Sequence, residues 1–220
     1  SLLTSSDCNL KSGALNGAVG NEFKIIISSA AFRFKVPPSL ILAAMYGEGA
    51  FNGQFQWNND SAVKLASSAN GCMPGCDPTN PSTWILKGIQ PNKQIIKEVF
   101  PGRNPNPCNP VDMAFSTAYN ISYWDGWNKF KINSCFGISL NTNEGGANSC
   151  SWNETQVARG IKGWESGWTS MCLTLKNSCF LGGGAKAACP GGDICETKNN
   201  RYPNQPSHFG CLWDVYNNNK

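Results

Sequence analysis

The chain has 220 residues, of which 40% are hydrophobic and 15% charged, and its formal net charge is +4. That length and balance suit one folded domain with a real core and exclude a disordered chain. The positive excess is spread along the sequence, which argues against nucleic-acid binding and favours an anionic surface such as a cell wall.

The opening SLLTSSDCNL has neither the charged start nor the apolar middle of an export signal. The chain therefore reads as a mature fragment whose signal has been removed. Residues 20–35, GNEFKIIISSAAFRFK, mix apolar and polar positions at helical spacing, and Pro37-Pro38 ends that helix. A second helix begins at Pro38 or Ser39, because proline is tolerated in a first turn. Its spacing puts Leu40, Ile41, Ala44, Met45 and Glu48 on one face. Residues 52–83 are rich in Asn, Gly, Ser, Pro and Cys and read as one long stapled loop. WILKGIQPNKQIIKEVF, 84–100, reads as a helix interrupted at Pro91. NPVDMAFSTAYNISYWDGW, 109–127, predicts a helix starting at Asn109 or Pro110 with Val111, Ala114, Phe115, Ala118 and Tyr119 inward. Residues 152–168 form another helical candidate, and 173–200 have no clear period. SHFGCLWDVYNNN closes the chain as a short helix that packs Phe209, Leu212, Trp213 and Tyr216.

Strand-like alternation is scarce, and no stretch reaches the roughly 18–20 apolar residues of a membrane span. The fold class is mainly α, a single domain over 1–220 with cysteine-rich insertions near 70–80 and 172–200. Eleven cysteines stand against one histidine, His208, and their spacings lack the repeated CxxC of a zinc site. Disulfides in an oxidising, extracytoplasmic compartment follow, with no metal and no cofactor expected. An odd count leaves one thiol free or paired with something outside this chain, and the connectivity stays open. GGGAKAACPGGDIC, 182–195, is glycine-rich but lacks the Gly-Lys-Ser/Thr ending and preceding strand of a phosphate loop.

Glu48 stands out in VPPSLILAAMYGEGAF. A glutamate late in a helix ordinarily reaches solvent. This one shares its predicted face with four apolar residues and sits at the negative end of the helix, and both features favour the protonated acid. Gly47 and Gly49 flank it and leave room for another backbone or a substrate. A carboxyl kept protonated near neutral pH can serve as a general acid.

VPPSLILAAMYGEGAF resembles the catalytic-helix signature of lytic transglycosylases with the lysozyme-like fold. NPSTW (80–84) is similar to that family's Met-Pro-Ser-Ser/Thr-Trp segment, and NPVDMAFSTAYNISYWDGW to its following helix. NRYPNQPSHFGCLWDVYNN (200–218) is similar to its late Arg-Tyr-Asn-x-Ser segment and closing helix. The nearest group is the membrane-bound lytic transglycosylase B type and its secreted relatives. Two departures stand out. The family's Gly-x-x-Gln-Phe is replaced by a cysteine-containing stretch, leaving Gln56 of GQFQW as the candidate cleft glutamine. Pro203 separates Tyr202 from Asn204.

The resemblance implies a secreted enzyme acting on peptidoglycan or a related β-1,4-linked amino-sugar glycan, with Glu48 as its catalytic residue. It places Tyr202, Asn204, Tyr46, Gln56 and Ser82 at the substrate. Most glycoside hydrolases flank the scissile bond with two carboxylates. Here the glutamate would protonate the glycosidic oxygen and then act as base toward the muramyl 6-hydroxyl, giving a 1,6-anhydro product. Asp112, the other acidic candidate, is expected to cap its helix or bind its N-terminal amides. A lysozyme- or chitinase-type hydrolase, or a glycan-binding module of the same fold without catalysis, are the alternatives.

Overall fold

In a computed structural model, the structure describes residues 6–87, 99–136, 149–153, 156–157, 160–161, 164 and 206–220, the side chains of 124–136 and 206–211 excepted. Five helices organise it: α1 (Asn21–Phe34), α2 (Pro38–Gly47), α3 (Asp60–Ala66), α4 (Pro110–Phe136) and α5 (Pro206–Asn219). Short 3-10 turns cover Ser6–Cys8, Ala14–Gly17 and Pro81–Thr83, and there is no strand among the described residues. The chain is mainly α, as its patterning predicts.

Helix α1 ends where the sequence says it must. Lys35 takes the left-handed conformation (φ 54°), its N–H closes on Ala31 O, and the Pro37-Pro38 pair forces a new direction. α2 then leaves at 113° to α1. Proline at the first helical position costs α2 nothing, since that N–H has no partner in any helix.

The start of α1 is capped from outside. Gly20 supplies no side chain, and Asp60 Oδ1 accepts from Glu22 N at 3.0 Å. A Cβ on Gly20 would lie 2.6 Å from that same oxygen, so glycine is what lets the carboxylate in. Asp60 is the first residue of α3, whose own cap is Asn59, accepting from Ala62 N at 3.1 Å. This helix is a correction to the long loop expected over 52–83. Asn59-Asp60 starts a helix, and seven residues suffice because Val63 and Ala66 bury against α1.

α2 also departs from expectation. Residues from Pro38 to Met45 are all buried, including Leu42 and Ala43 on the side expected to face out. The reason is position: α1, α4 and α5 all pack against it, so the helix is apolar all round. Its closest neighbour is α5, with Leu212, Trp213, Val215 and Tyr216 buried, and Gly47 lies against Leu212.

α4 begins at the Asn109 cap, which accepts from Val111 N at 3.0 Å and Asp112 N at 3.2 Å. The same side chain donates to Ala66 O, Ser68 O and Gly71 O, which fastens the end of α3 to the start of α4. The buried face of α4 is rotated from the predicted one. Met113, Ala114, Thr117, Ala118 and Ile121 are buried, whereas Val111, Phe115 and Tyr119 are half-buried. Phe115 and Tyr119 instead meet the ring of Phe34 edge-on.

Trp84–Lys87 is not helical, a further correction to the sequence reading, and 88–98 lie outside the described residues. Residues 156, 157, 160, 161 and 164 are helical, within the predicted 152–168 segment. The cysteine-rich segment at 172–200 lies outside the described residues.

Among the described residues two disulfides tie the loops. Cys8–Cys150 spans 142 residues and Cys76–Cys108 spans 32. The second staples the 70–80 segment to the approach of α4. Cys72 is a free, half-buried thiol beside Asn106. Among the described residues no single helix is long and apolar enough to cross a membrane.

Candidate functional site

Glu48 sits one residue beyond the last turn of α2, half-buried, as the C-cap (φ −92°, ψ 11°). Gly49 follows in the left-handed conformation at φ 83°. Its N–H reaches Tyr46 O at 3.1 Å, and Ala50 N reaches Met45 O at 3.1 Å. That pair of bonds is a Schellman motif, which uses carbonyls a helix end otherwise leaves open. The buried Ala50 and Met45 supply its apolar contact.

The two glycines thus have different jobs from those predicted. Gly49 is there for its φ. Gly47 is there for space, since a Cβ on it would stand 2.6 Å from Leu212 Cδ2. The room beside Gly47 is filled by α5.

The backbone of Glu48 is held on both sides. Its N–H points to Ala44 O and Met45 O, and its carbonyl accepts from Lys87 N at 2.9 Å. Lys87 belongs to the segment that begins with NPSTW. In that segment Asn80 caps the 3-10 turn, its Oδ1 accepting from both the amide and the hydroxyl of Ser82 at 3.2 and 2.8 Å. Thr83 Oγ1 accepts from Asp77 N at 2.8 Å and lies 2.8 Å from Asn80 O and 3.0 Å from Asp77 O. The amide and hydroxyl of Thr79 hold the Asp77 carboxyl below its ordinary value.

A second strap joins this segment to the turn after α2. Gln54 Nε2 donates to Thr83 O at 2.9 Å. Tyr46 stacks on Phe51, centroids 6.2 Å apart and planes 22° apart, and Phe51 leans on the buried Trp57. Trp57 stacks on Phe23 at 4.1 Å and donates Nε1 to Ala50 O at 2.7 Å. Residues 46–57 and 80–87 therefore form one cross-braced unit around the Glu48 turn.

The predicted site residues fall in different places. Tyr46 is half-buried beside Phe51, close in sequence and space to Glu48. Ser82 is exposed with its hydroxyl on Asn80. Gln56 is exposed, and its carbonyl accepts from Asn59 N at 3.1 Å. Tyr202 and Asn204 lie outside the described residues. Gln54, which the sequence reading passed over, is the glutamine bonded to the NPSTW segment. Asn-Pro-Ser-Thr is itself a capping pattern, with Asn before a proline-led turn, and could have identified Asn80.

Asp112 does not cap its helix. It is buried and accepts a bidentate pair from Arg103 at 2.7 and 2.8 Å, together with Asn106 N at 2.8 Å. The Arg103 guanidinium is held above its ordinary pKa, first by that hydrogen bonding. The helix amides that Asp112 was expected to serve are taken by Asn109, three residues earlier. Among the described residues no cluster of three His, Cys, Asp or Glu could hold a metal.

A separate cavity of about 380 Å³ opens at the other end of α2, between its first residues and the Cys8–Cys150 disulfide. Ten helical residues separate it from Glu48, roughly 15 Å along the axis. No protein-family model, no curated protein and no solved structure matches this chain.

Proposed function

We propose that this protein is a lytic transglycosylase of the lysozyme-like class, cleaving the β-1,4 bond between N-acetylmuramic acid and N-acetylglucosamine in peptidoglycan. One observation carries the reading: Glu48 is the half-buried residue that closes the buried helix α2, on a turn whose backbone is fixed to Lys87. A carboxyl in that setting is a suitable general acid, because its backbone does not have to reorganise during proton transfer.

In the proposed reaction Glu48 gives its proton to the glycosidic oxygen as the bond from the muramyl C1 breaks. The resulting carboxylate then takes the proton of the muramyl 6-hydroxyl as that oxygen bonds C1. The enzyme returns to its starting state, and the product carries a 1,6-anhydro ring. No second carboxylate is needed. Asp112 is unsuited to be one, since both its oxygens are occupied by Arg103 and Asn106. Tyr46, Gln56, Ser82, Tyr202 and Asn204 are the proposed contacts to the glycan. Disulfides are compatible with an extracytoplasmic setting, and secretion to the periplasm or cell wall belongs to the same proposal.

The test is mass spectrometry of muropeptides after digestion of purified peptidoglycan. Anhydro ends are expected from the native protein, and a loss of at least ~10²-fold from Glu48→Gln, which keeps shape but cannot donate the proton. Reducing ends would assign a hydrolase instead. Glu48→Gln with native turnover would remove Glu48 from the chemistry.

A further inference from the structure

The cavity at the start of α2 plays no part in the glycan reading, yet its walls are chemically specific. Its volume, about 380 Å³, falls in the range of small-molecule sites (about 300–1,000 Å³). Pro37, Pro38 and Ser39 form one wall, Asp7 and Asn9 another, Lys11 lies at the edge, and Trp152 and Tyr216 add aromatic surface.

The α2 wall offers donors. Pro38 has no N–H, and the amides of Leu40 and Ile41 are committed to Pro37 O at 3.0 and 3.3 Å. The Ser39 amide is thus the first N–H at the positive end of the helix with no acceptor behind it. Ser39 is also 2% exposed, and its hydroxyl makes no hydrogen bond to another described residue. The little surface it retains faces this cavity. That hydroxyl meets the solvent of the cavity, so an acceptor entering there could replace water as its partner. Lys11 adds a cation nearby, its ammonium 2.6 Å from Asn218 O.

The Asp7 wall offers an acceptor. Its Oδ2 accepts from Ser149 Oγ at 2.7 Å, Cys150 N at 3.1 Å and Ser151 Oγ at 3.3 Å. These bonds, led by Ser149, hold the carboxyl below its ordinary value and favour the carboxylate. Oδ1 receives no N–H or O–H from another described residue. A simple anion would suit Ser39 and Lys11 but meet Asp7, and a simple cation would face the reverse mismatch. A small molecule carrying both charges satisfies both walls.

We propose that this cavity binds a free amino acid as its zwitterion, the carboxylate on the Ser39 amide and hydroxyl beside Lys11, the ammonium on Asp7 Oδ1, and the side chain against Trp152 and Tyr216. The proposal stands independently of the glycan chemistry at Glu48.

Titration of the ¹⁵N-labelled protein at neutral pH tests it, with alanine, acetate and ethylammonium as probes. Alanine is expected to give saturable shifts at the Ser39 and Cys150 amides. Acetate and ethylammonium, each lacking one charge, are expected to bind at least ~10-fold more weakly. Ser39→Ala, which keeps the helix, is expected to weaken alanine at least ~5-fold. Asp7→Asn is expected to weaken alanine without weakening acetate; should that variant unfold, Lys11→Met on the exposed edge replaces it, and is expected to weaken both. No saturable shift with alanine, acetate binding as tightly as alanine, or unchanged affinity in Ser39→Ala or in the second variant would each overturn the proposal.

Discussion

Gly47→Ala separates two opposing effects whose sizes the structure sets. Gly47 is helical, and in an open helix the change to alanine gains about 1 kcal/mol. Here the new Cβ would lie 2.6 Å from Leu212 Cδ2, 3.4 Å from Cδ1 and 3.5 Å from Cγ. Carbon atoms prefer about 3.5–4.0 Å, so Leu212 must retreat by about 1 Å. Leu212 is 1% exposed and lies in the main core, so it cannot simply swing into solvent. Overpacking of that kind costs about 1–3 kcal/mol, which outweighs or just cancels the propensity gain. The expected outcome is a loss of up to about 2 kcal/mol, read as a lower urea midpoint at unchanged slope with the disulfides intact. The pair can also be tested for coupling. Leu212→Ala alone should cost about 2–5 kcal/mol, and adding Gly47→Ala to it should then cost nothing or restore stability, because the methyl enters the space left behind. A Gly47→Ala variant clearly more stable than the native protein, or a double variant additive to within about 0.3 kcal/mol, would refute the account of α2 seated on α5.

Three other outcomes follow from named contacts. Asn109→Ala should cost about 2–4 kcal/mol in the same unfolding assay, since it removes the α4 cap and leaves the Ala66, Ser68 and Gly71 carbonyls without their shared donor. Asp7 is held below its ordinary value in the folded protein, so its contribution is complete above the unfolded carboxylate pKa and is lost as pH falls through the folded one. Unfolding measured from neutral pH to the acid limit should therefore lose part of its acid dependence in Asp7→Asn, and an unchanged profile would count against the Ser149–Ser151 bonds. Cys72 is expected to be the odd thiol of the eleven cysteines, so alkylation of the denatured, unreduced protein followed by peptide mapping should label Cys72 and little else.

The breaks in the chain were easier to read than its contacts. Pro37-Pro38 and Asn109-Pro110 declare their helix boundaries through local sterics and capping, and both boundaries fall where the sequence puts them. α3 escaped notice because its seven residues sit among turn-forming Asn and Ser, with too short a period to register. The apolar face expected of α2 is buried, but so are Leu42 and Ala43 on its other side, for a different reason. Periodicity reports one buried side, whereas burial on every side depends on α5 returning to it from far along the chain. The Glu48 turn was legible in GEG, but the roles of the two glycines were not, because Gly47 is explained by Leu212. Gln54 was missed for the same reason, since its bond to Thr83 O crosses 29 residues.

The packing of α5 on α2 also orders events in time. Leu212 lies 165 positions after Gly47, and Leu15 N reaches Asn219 Oδ1 across 204. Synthesis runs from one end, so α2 is complete long before the helix that covers it exists. Until α5 has been made, its Leu-Ile-Leu-Ala-Ala-Met run lacks that cover, and such surfaces invite aggregation. Long-range closure of this kind slows folding. A chain built this way gains from being kept unfolded until α5 has been delivered.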